Sequence, residues 1–312
     1  MKKPLLICVV GPTGIGKTAL AIELAQAFST EIISSDSRQF FREMRIGTAV
    51  PSEEELAAVP HHFIHSHSIF DDYSVGDFER EAVELIESKF YPKDGSEGFS
   101  TLIMVGGSGL YTDAVVKGLD SFPTASAEIR ETLNKFLETQ GLEVLQNILK
   151  EVDPAYFEKV DIQNPHRVIR ALEVFEASGL PYSTFLNEAA TKRNFDHCYI
   201  GLTADREIIY DRINRRVDLM IDNGLLEEAK SLFPYKNQNA LQTVGYRELF
   251  DYFDNKISLA DAISEIKKNT RRFAKRQLTW YRKNPDVNWF DYETPVDEIV
   301  EFVKDRNADS AF

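Results

Sequence analysis

Leu5-Leu6-Ile7-Cys8-Val9-Val10 runs directly into Gly11-Pro12-Thr13-Gly14-Ile15-Gly16-Lys17-Thr18, and the reading of this stretch decides the fold. A continuous apolar run of this length suits a strand buried on both faces of a parallel sheet. From Thr18 to Phe28, good helix formers carry Leu20, Leu24 and Ala27 at helical spacing. Strand, glycine-rich turn and helix together open an α/β domain. The turn fits G-x-x-x-x-G-K-[ST] completely and lies in the context that gives that motif its meaning. Its glycines let backbone N–H groups converge on an anion at the positive end of the helix. Lys17 adds a full charge, and the Thr18 hydroxyl is the candidate ligand for Mg²⁺. Such a loop recognises a pyrophosphate unit rather than one nucleotide.

Working outward, further strands are expected at Glu31 to Ser35, His62 to Ile69, Thr101 to Val105 and Cys198 to Thr203, with a short terminal one near Val287 to Phe290. Helical stretches separate most of them, which predicts a parallel sheet flanked by helices. Between Ser121 and Arg193 only helical patterns occur: Ala127 to Thr139, Leu142 to Glu151, Pro154 to Lys159 and Pro165 to Ser178. Strand-like sequence resumes at Cys198, so the block reads as a helical insertion. The expected division is 1–120 for the first part of the core, 121–196 for the insertion and 197–312 for the rest. After Thr203, helices are expected at Arg206 to Gly224, Leu226 to Phe233 and Ser258 to Arg282.

The 312 residues are 43% hydrophobic, 28% charged and 11% aromatic, which excludes a disordered, collagen-like or disulfide-stapled chain. No apolar run approaches the ~20 residues of a membrane span. Lys2-Lys3 and the short apolar run after them pass straight into the glycine-rich turn, so they read as a strand and not a leader. Cys8 and Cys198, both in strand-like surroundings, read as buried reduced thiols, and a cytoplasmic protein is expected.

Within this architecture the acidic residue at the carboxyl end of the second strand is Asp36, in Ile32-Ile33-Ser34-Ser35-Asp36-Ser37. Ligands sit at that edge of open parallel sheets. A carboxylate there suits accepting a proton from a second substrate better than binding phosphate, although Asp is also a common helix cap. Gly106-Gly107-Ser108-Gly109 forms a second glycine-rich turn at the same edge, with Ser108 offering a hydroxyl. The metal-binding Asp that a nucleotide hydrolase carries after such a strand is missing there.

Charge is distributed unevenly. The formal net charge is -14, from 50 acidic and 36 basic residues. Lys267, Lys268, Arg271, Arg272, Lys275, Arg276, Arg282 and Lys283 nevertheless fall in one stretch with no acidic residue between them. On a helix, Ile263, Ile266, Thr270, Phe273, Gln277 and Trp280 would line the opposite, core-facing side. The resulting cationic stripe favours a polyanion partner. His61, His65 and His67 would share a face of an extended strand, but without cysteine or a clear carboxylate partner they read as ordinary strand histidines rather than a metal site.

Taken in order, Gly11 to Thr18, I-I-S-S-D-S-R-Q at 32–39, I-G-T-A at 46–49, P-H-H at 60–62 and G-G-S-G-L-Y at 106–111 resemble the tRNA dimethylallyltransferases. The similarity continues through N-P-H-R-V-I-R-A-L-E-V at 164–174, R-I-N-R-R at 212–216, V-G-Y-R-E at 244–248 and T-R-R-F-A-K-R-Q-L-T-W at 270–280. It therefore covers nearly the whole chain. The resemblance implies a P-loop NTPase-like core with a helical insertion. The implied reaction moves the dimethylallyl group from its diphosphate to the exocyclic amine of the adenosine just 3′ of a tRNA anticodon.

Carried over by position, Gly11, Pro12, Thr13, Gly14, Ile15, Gly16, Lys17 and Thr18 would hold the diphosphate with Mg²⁺. Asp36 would be the general base, Ser108 would supply a hydroxyl where the family often has Thr, and Arg216 would meet the diphosphate from the far side. The implied tRNA contacts are Asp36, Ser37, Arg38 and Gln39; Arg130; Gln163, Asn164, Pro165, His166 and Arg167; Gln242, Thr243, Val244, Gly245, Tyr246 and Arg247; and Arg271, Arg272, Lys275 and Arg276. His65 stands where the family commonly has Asp. The expected partners are the anticodon stem-loop and dimethylallyl diphosphate, with no membrane, for a chain acting as a monomer. Three rival readings are a small-metabolite kinase with ATP in the same loop, an isopentenyltransferase acting on free adenine nucleotides, and a non-enzymatic RNA-binding protein. The kinase leaves the basic helix unexplained, the nucleotide enzyme leaves the insertion without a use, and the intact Lys17-Thr18 pair argues against the third.

Overall fold

The structure, a computed structural model, describes residues 3–186 and 192–309. The chain divides into two compact units, Met1–Val116 with Arg193–Phe312, and Lys117–Lys192. The inserted unit thus spans 117–192, against the 121–196 expected from sequence.

In the larger unit, β1 (Leu5–Val10) leads through the phosphate loop to α1 (Lys17–Ala27) and β2 (Ile32–Ser34). There follow α2 (Glu53–Ala58), β3 (His61–His62), α3 (Val75–Phe90), β4 (Thr101–Val105) and α4 (Gly109–Lys117). The inserted unit holds α5 (Ala127–Gln140), α6 (Leu142–Val152), α7 (Pro154–Phe157) and α8 (Pro165–Ser178). The chain then returns as β5 (Asp196–Thr203), α9 (Arg206–Asp222), α10 (Leu225–Leu232), α11 (Tyr246–Phe253), α12 (Leu259–Tyr281), β6 (Val287–Asp291) and α13 (Val296–Asp309).

Six strands form one sheet in the order β3-β2-β4-β1-β5-β6, and every described pairing is parallel. All six residues of β1 are buried. Leu5, Ile7 and Val9 join the core beneath α1 and α13, while Leu6, Cys8 and Val10 join the one beneath α3. This two-sided burial explains why the strand reads as an unbroken apolar run. A third core gathers Phe41, Met44, Val217, Leu225, Tyr246 and Ile266 under α9 to α12.

The strand expected over His62 to Ile69 is not formed. Only His61–His62 pairs with β2, because Phe63 and His65 adopt positive φ values of 61° and 52° that end extended backbone. α11 was not expected from sequence; it is a short helix opened by Gly245, whose N–H donates to Glu248 Oε2 at 2.8 Å.

In the inserted unit, Leu133, Leu145, Leu149, Val168, Ile169 and Leu172 make a separate small core. Asn164 caps α8 by accepting from the N–H groups of His166 (3.1 Å) and Arg167 (3.4 Å), with Pro165 at the first position. Glu173 is buried and neutralised by Arg130 and Arg170.

Candidate active site

The carboxyl ends of β2, β4 and β1, which neighbour one another in the sheet, carry Asp36, the 106–109 turn and the phosphate loop. Gly11 has φ +141°, and a Cβ there would lie 2.6 Å from the Leu202 carbonyl on β5, so only glycine lets the loop leave the sheet this way. α1 begins at Lys17, directing its free N–H groups into a cleft of about 470 Å³ lined by Thr13, Gly14, Gly16, Lys17 and Thr18. Lys17 Nζ donates to the Pro12 carbonyl at 2.9 Å. Burial draws its pKa down to about 8, against the opposing pull of Asp36 and with a further push from Arg216.

Arg212, Arg215 and Arg216, on α9, form the far wall of this cleft. Arg212 Nε donates to the Gly14 carbonyl at 2.8 Å, and its guanidinium lies over Tyr292. Arg216 Nη1 donates to Thr13 Oγ1 at 3.3 Å. Its pKa is lowered by burial, with Asp36 opposing. A buried guanidinium still stays charged at neutral pH.

A second cavity of about 410 Å³ shares Thr13, Asp36 and Arg216 with the first. Its walls include Ile213, Val217, Met220, Leu225, Val244 and Phe273, together with Ser37, Arg38, Ser108, Arg247 and Arg276. It thus combines an apolar side with hydroxyls, one carboxylate and several arginines. Asp36 Oδ1 accepts from the Arg38 N–H at 3.0 Å, which fixes the carboxylate at the junction of the two cavities. Ser108 Oγ lies 3.1 Å from Ser37 Oγ and accepts from the Ser37 N–H at 3.3 Å, tying the 106–109 turn to the loop after β2. Gln39, in the wall of the phosphate cleft, braces that loop by donating to the Ala49 carbonyl at 3.0 Å.

Of the residues of the larger unit expected to touch tRNA, Asp36 to Arg38, Gln242 to Gly245, Arg247 and Arg276 line the second cavity and Gln39 lines the phosphate cleft. Tyr246 is fully buried and its hydroxyl donates to Glu228 Oε1 at 2.6 Å, so it supports the site from beneath instead of facing a partner. Gly245, though largely buried, lines the second cavity. Gln242, exposed, donates to the Lys236 carbonyl at 2.6 Å, and Thr243, Val244 and Arg247 line the second cavity.

The basic helix also differs from its pattern. Its core side is Ala262, Ile266, Ala274, Gln277 and Tyr281, while Phe273 and Trp280 are exposed. Lys267 pairs with Asp218 at 2.6 Å, Lys268 pairs with Glu265, and Arg271 Nη1 donates to Asn214 at 2.6 Å. Arg272, Lys275, Arg276, Arg282 and Lys283 remain exposed. The stripe therefore lies nearer the end of the helix than the sequence suggested.

In the inserted unit, Gln163, His166 and Arg167 are exposed, whereas Asn164 and Pro165 are used in starting α8. Arg130 contacts Glu173 yet keeps 61% of its side chain exposed.

Two site residues escaped the sequence reading. Glu228 on α10 accepts from the N–H groups of Arg45 (3.0 Å), Ile46 (2.8 Å) and Gly47 (3.0 Å), holding the 46–49 motif in place. Nothing local marks it, because its partners lie about 180 positions away. Gln277, buried in α12, joins the phosphate loop to the 106–109 turn. Its signal was a polar residue within an apolar face.

Among the described residues, no group of three or more His, Cys, Asp or Glu side chains could hold a metal ion. His62 instead bonds Glu31 at 2.7 Å, and His61 bonds the Val59 carbonyl at 2.7 Å. Thr18, in the wall of the phosphate cleft, fits a hard cation held mainly by phosphate oxygens and water, with one protein hydroxyl.

A phosphate cleft that opens past one carboxylate into an apolar, arginine-rimmed pocket defines a group-transfer enzyme of the phosphate-loop class. The match to the family described as IPP transferase spans residues 39–284. The chain belongs to that family. A tRNA dimethylallyltransferase of Christiangramia forsetii is 55% identical over 96% of this chain and 98% of its own length. Another, from Flavobacterium johnsoniae, is 55% identical over 96% of both. The crystal structure of a full-length tRNA isopentenylpyrophosphate transferase from Bacillus halodurans superposes with a TM-score of 0.72 at 36% identity, covering 99% of this chain and 98% of that one. A eukaryotic dimethylallyltransferase acting on tRNA gives a TM-score of 0.78 at 28% identity, covering 93% of this chain and 74% of its own.

Proposed function

We propose that the protein transfers the dimethylallyl group of dimethylallyl diphosphate to N6 of the adenosine 3′-adjacent to the tRNA anticodon, releasing diphosphate. The observation that carries this reading is the wall shared by the two cavities: Thr13, Asp36 and Arg216 face both the phosphate cleft and the apolar pocket. A donor with its diphosphate on the loop from Gly14 to Thr18 would extend its allyl chain towards Ile213, Val217 and Met220. Its C1 carbon would then lie near Asp36. The acceptor base, extruded from its stack, would enter past Arg247 and Arg276.

In this arrangement the C1–O bond breaks as the N6–C1 bond forms. The electron pair of the broken bond leaves on diphosphate, where Lys17, Arg216 and the loop amides stabilise it. The adenine amine is a weak nucleophile because its lone pair is delocalised into the ring. Asp36 accepts the N6 proton during attack, a contribution of roughly 10²–10⁴-fold. Ser108 and Ser37 hold the neighbouring turn against which the base would rest. When bound, Mg²⁺ supplies further neutralisation of the diphosphate, and Thr18 is the residue that would hold it.

The tRNA-facing set is Asp36 to Gln39, Gln242 to Val244, Arg247, Arg271, Arg272, Lys275 and Arg276 in the larger unit. In the inserted unit, taken by itself, the proposed tRNA-facing residues are Arg130, Gln163, His166 and Arg167. The proposed setting is the cytoplasm, with the chain acting as a monomer. Among the described residues, no helix is long and apolar enough to cross a membrane.

The test combines the protein and Mg²⁺ with labelled dimethylallyl diphosphate and unmodified tRNA bearing adenosine beside the anticodon. ATP with small hydroxyl acceptors is run in parallel. Label in that adenosine is the expected result. Consumption of ATP with unlabelled tRNA would instead place a nucleotide in the loop and make the protein a kinase.

A further inference from the structure

We infer that Gln277 is a positioning residue that sets the phosphate loop for its diphosphate ligand, by bridging the Thr13 amide to the Gly107 carbonyl. The inference rests on the loop holding a diphosphate, as proposed above. Gln277 projects from α12 and is only 5% exposed. Its Oε1 accepts from the Thr13 N–H at 2.8 Å, and its Nε2 donates to the Gly107 carbonyl at 2.9 Å. One side chain thus uses both ends of its amide to connect the two glycine-rich turns, which lie 94 positions apart in sequence (Thr13 to Gly107).

The bridge has a direct consequence for anion binding. The Thr13 N–H is occupied by Gln277, so it is not offered to the cleft, and its peptide plane is held at one orientation. Thr13 is also anchored by its side chain, through Arg216. The amides that follow Thr13 therefore start from a fixed point. A backbone amide left without a partner in a half-buried turn would rotate to find one, and the converging set of N–H groups would lose its common focus.

A second observation supports this independently. Gly107 has no positive φ that would call for glycine, yet a Cβ there would lie 2.1 Å from Gln277 Nε2. The next contact, Gln277 Cδ at 3.3 Å, is also tight and belongs to the same amide, while Lys17 Nζ at 3.8 Å is at ordinary distance. What excludes a side chain at Gly107 is therefore the bridging amide itself. Neither residue needs to touch the substrate for the pair to matter.

The experiment measures binding of inorganic pyrophosphate with Mg²⁺, binding of an unmodified anticodon stem-loop RNA, and thermal melting, for the intact protein, Q277A, G107A and the double variant. Q277A is expected to weaken pyrophosphate binding on the order of tenfold while RNA affinity stays within twofold. G107A is expected to do the same by displacing the amide. The double variant should be no weaker than the weaker single one, because removing Gln277 makes room for the methyl group. If Q277A does not fold, G107A alone carries the comparison. Unchanged pyrophosphate affinity in folded variants, additive losses in the double variant, or an equal loss of RNA affinity would each overturn the inference. If the intact protein binds no pyrophosphate, it is the proposed donor site that fails.

Discussion

The two cavities that meet at Asp36 are built from different materials. The phosphate cleft is organised around one main-chain turn, whose glycines and helix start lie within eight consecutive residues, Gly11 to Thr18, and is closed by arginine side chains from α9. The pocket beside it is made of side chains drawn from residues 13 to 276, none of which forms a site by itself. Main-chain recognition of an anion needs a particular backbone path, and that path constrains sequence tightly at consecutive positions. An apolar pocket needs only volume and hydrophobicity, which many residue choices supply. The first region should therefore fail sharply under single substitutions of its charged residues, and the second should degrade gradually.

The largest effect is expected at the junction itself. Asp36→Asn keeps the shape of the side chain but cannot accept the N6 proton, so turnover with saturating substrates should fall by roughly 10²–10⁴-fold while donor and RNA affinities hold. Single-turnover kinetics together with equilibrium binding separate the two quantities. Equal turnover in the variant would remove Asp36 from the chemistry.

Next comes Lys17→Ala, which removes the one full charge supplied by the loop. kcat/KM for the donor should drop on the order of 10²–10³-fold, whereas binding of RNA alone should stay constant. A loss confined to RNA binding would contradict the assignment.

The lowered pKa of Lys17 gives a pH test of the same contact. Below about pH 8 the ammonium is charged and attracts the diphosphate, and above it the neutral amine does not. Donor capture by the free protein should therefore decline by up to about tenfold per pH unit above that value. Lys17→Arg keeps its charge throughout, so the alkaline limb should disappear even if the absolute rate is lower. A limb unchanged by that substitution would belong to another group.

Softer responses are expected in the pocket. Glu228→Ala leaves three backbone N–H groups and the Tyr246 hydroxyl without their acceptor. A stability loss of about 1–3 kcal/mol in denaturant titration should accompany a rise in KM for RNA of several-fold. No change in either would mean the 46–49 loop is held by other contacts. The smallest effect belongs to exposed Arg276, where replacement by Ala should weaken RNA binding a few-fold and reduce the salt dependence by about one charge.

The same contrast explains what was legible in the sequence. β1, the loop and α1 could be read directly because apolar continuity, glycine spacing and Lys17-Thr18 each follow from local backbone requirements. Asp36 was legible because the carboxyl edge of a parallel sheet is a fixed place. α8 was read with its observed bounds, since Asn164-Pro165 is a strong helix start. The His62 to Ile69 strand failed because nothing in its apolar and histidine content announces the positive φ values at Phe63 and His65. The inward face of α12 was misassigned by about one position, placing Phe273 and Trp280 in the core instead of Ala274 and Tyr281. Helical periodicity gives the existence of a buried stripe more reliably than its centre when polar and aromatic residues alternate near its edge. Glu228 lay beyond sequence reasoning altogether, as its role depends on where three distant amides point.

The most direct test of the central claim is a structure of the protein with an unreactive sulfur-bridged analogue of dimethylallyl diphosphate and an anticodon stem-loop. Diphosphate is expected on Gly14 to Thr18 between Lys17 and Arg216, with the allyl chain in the pocket lined by Ile213 and Val217 and the adenine amine at Asp36. Diphosphate bound away from the loop, or an adenosine that stays stacked in the RNA out of reach of Asp36, would contradict that claim.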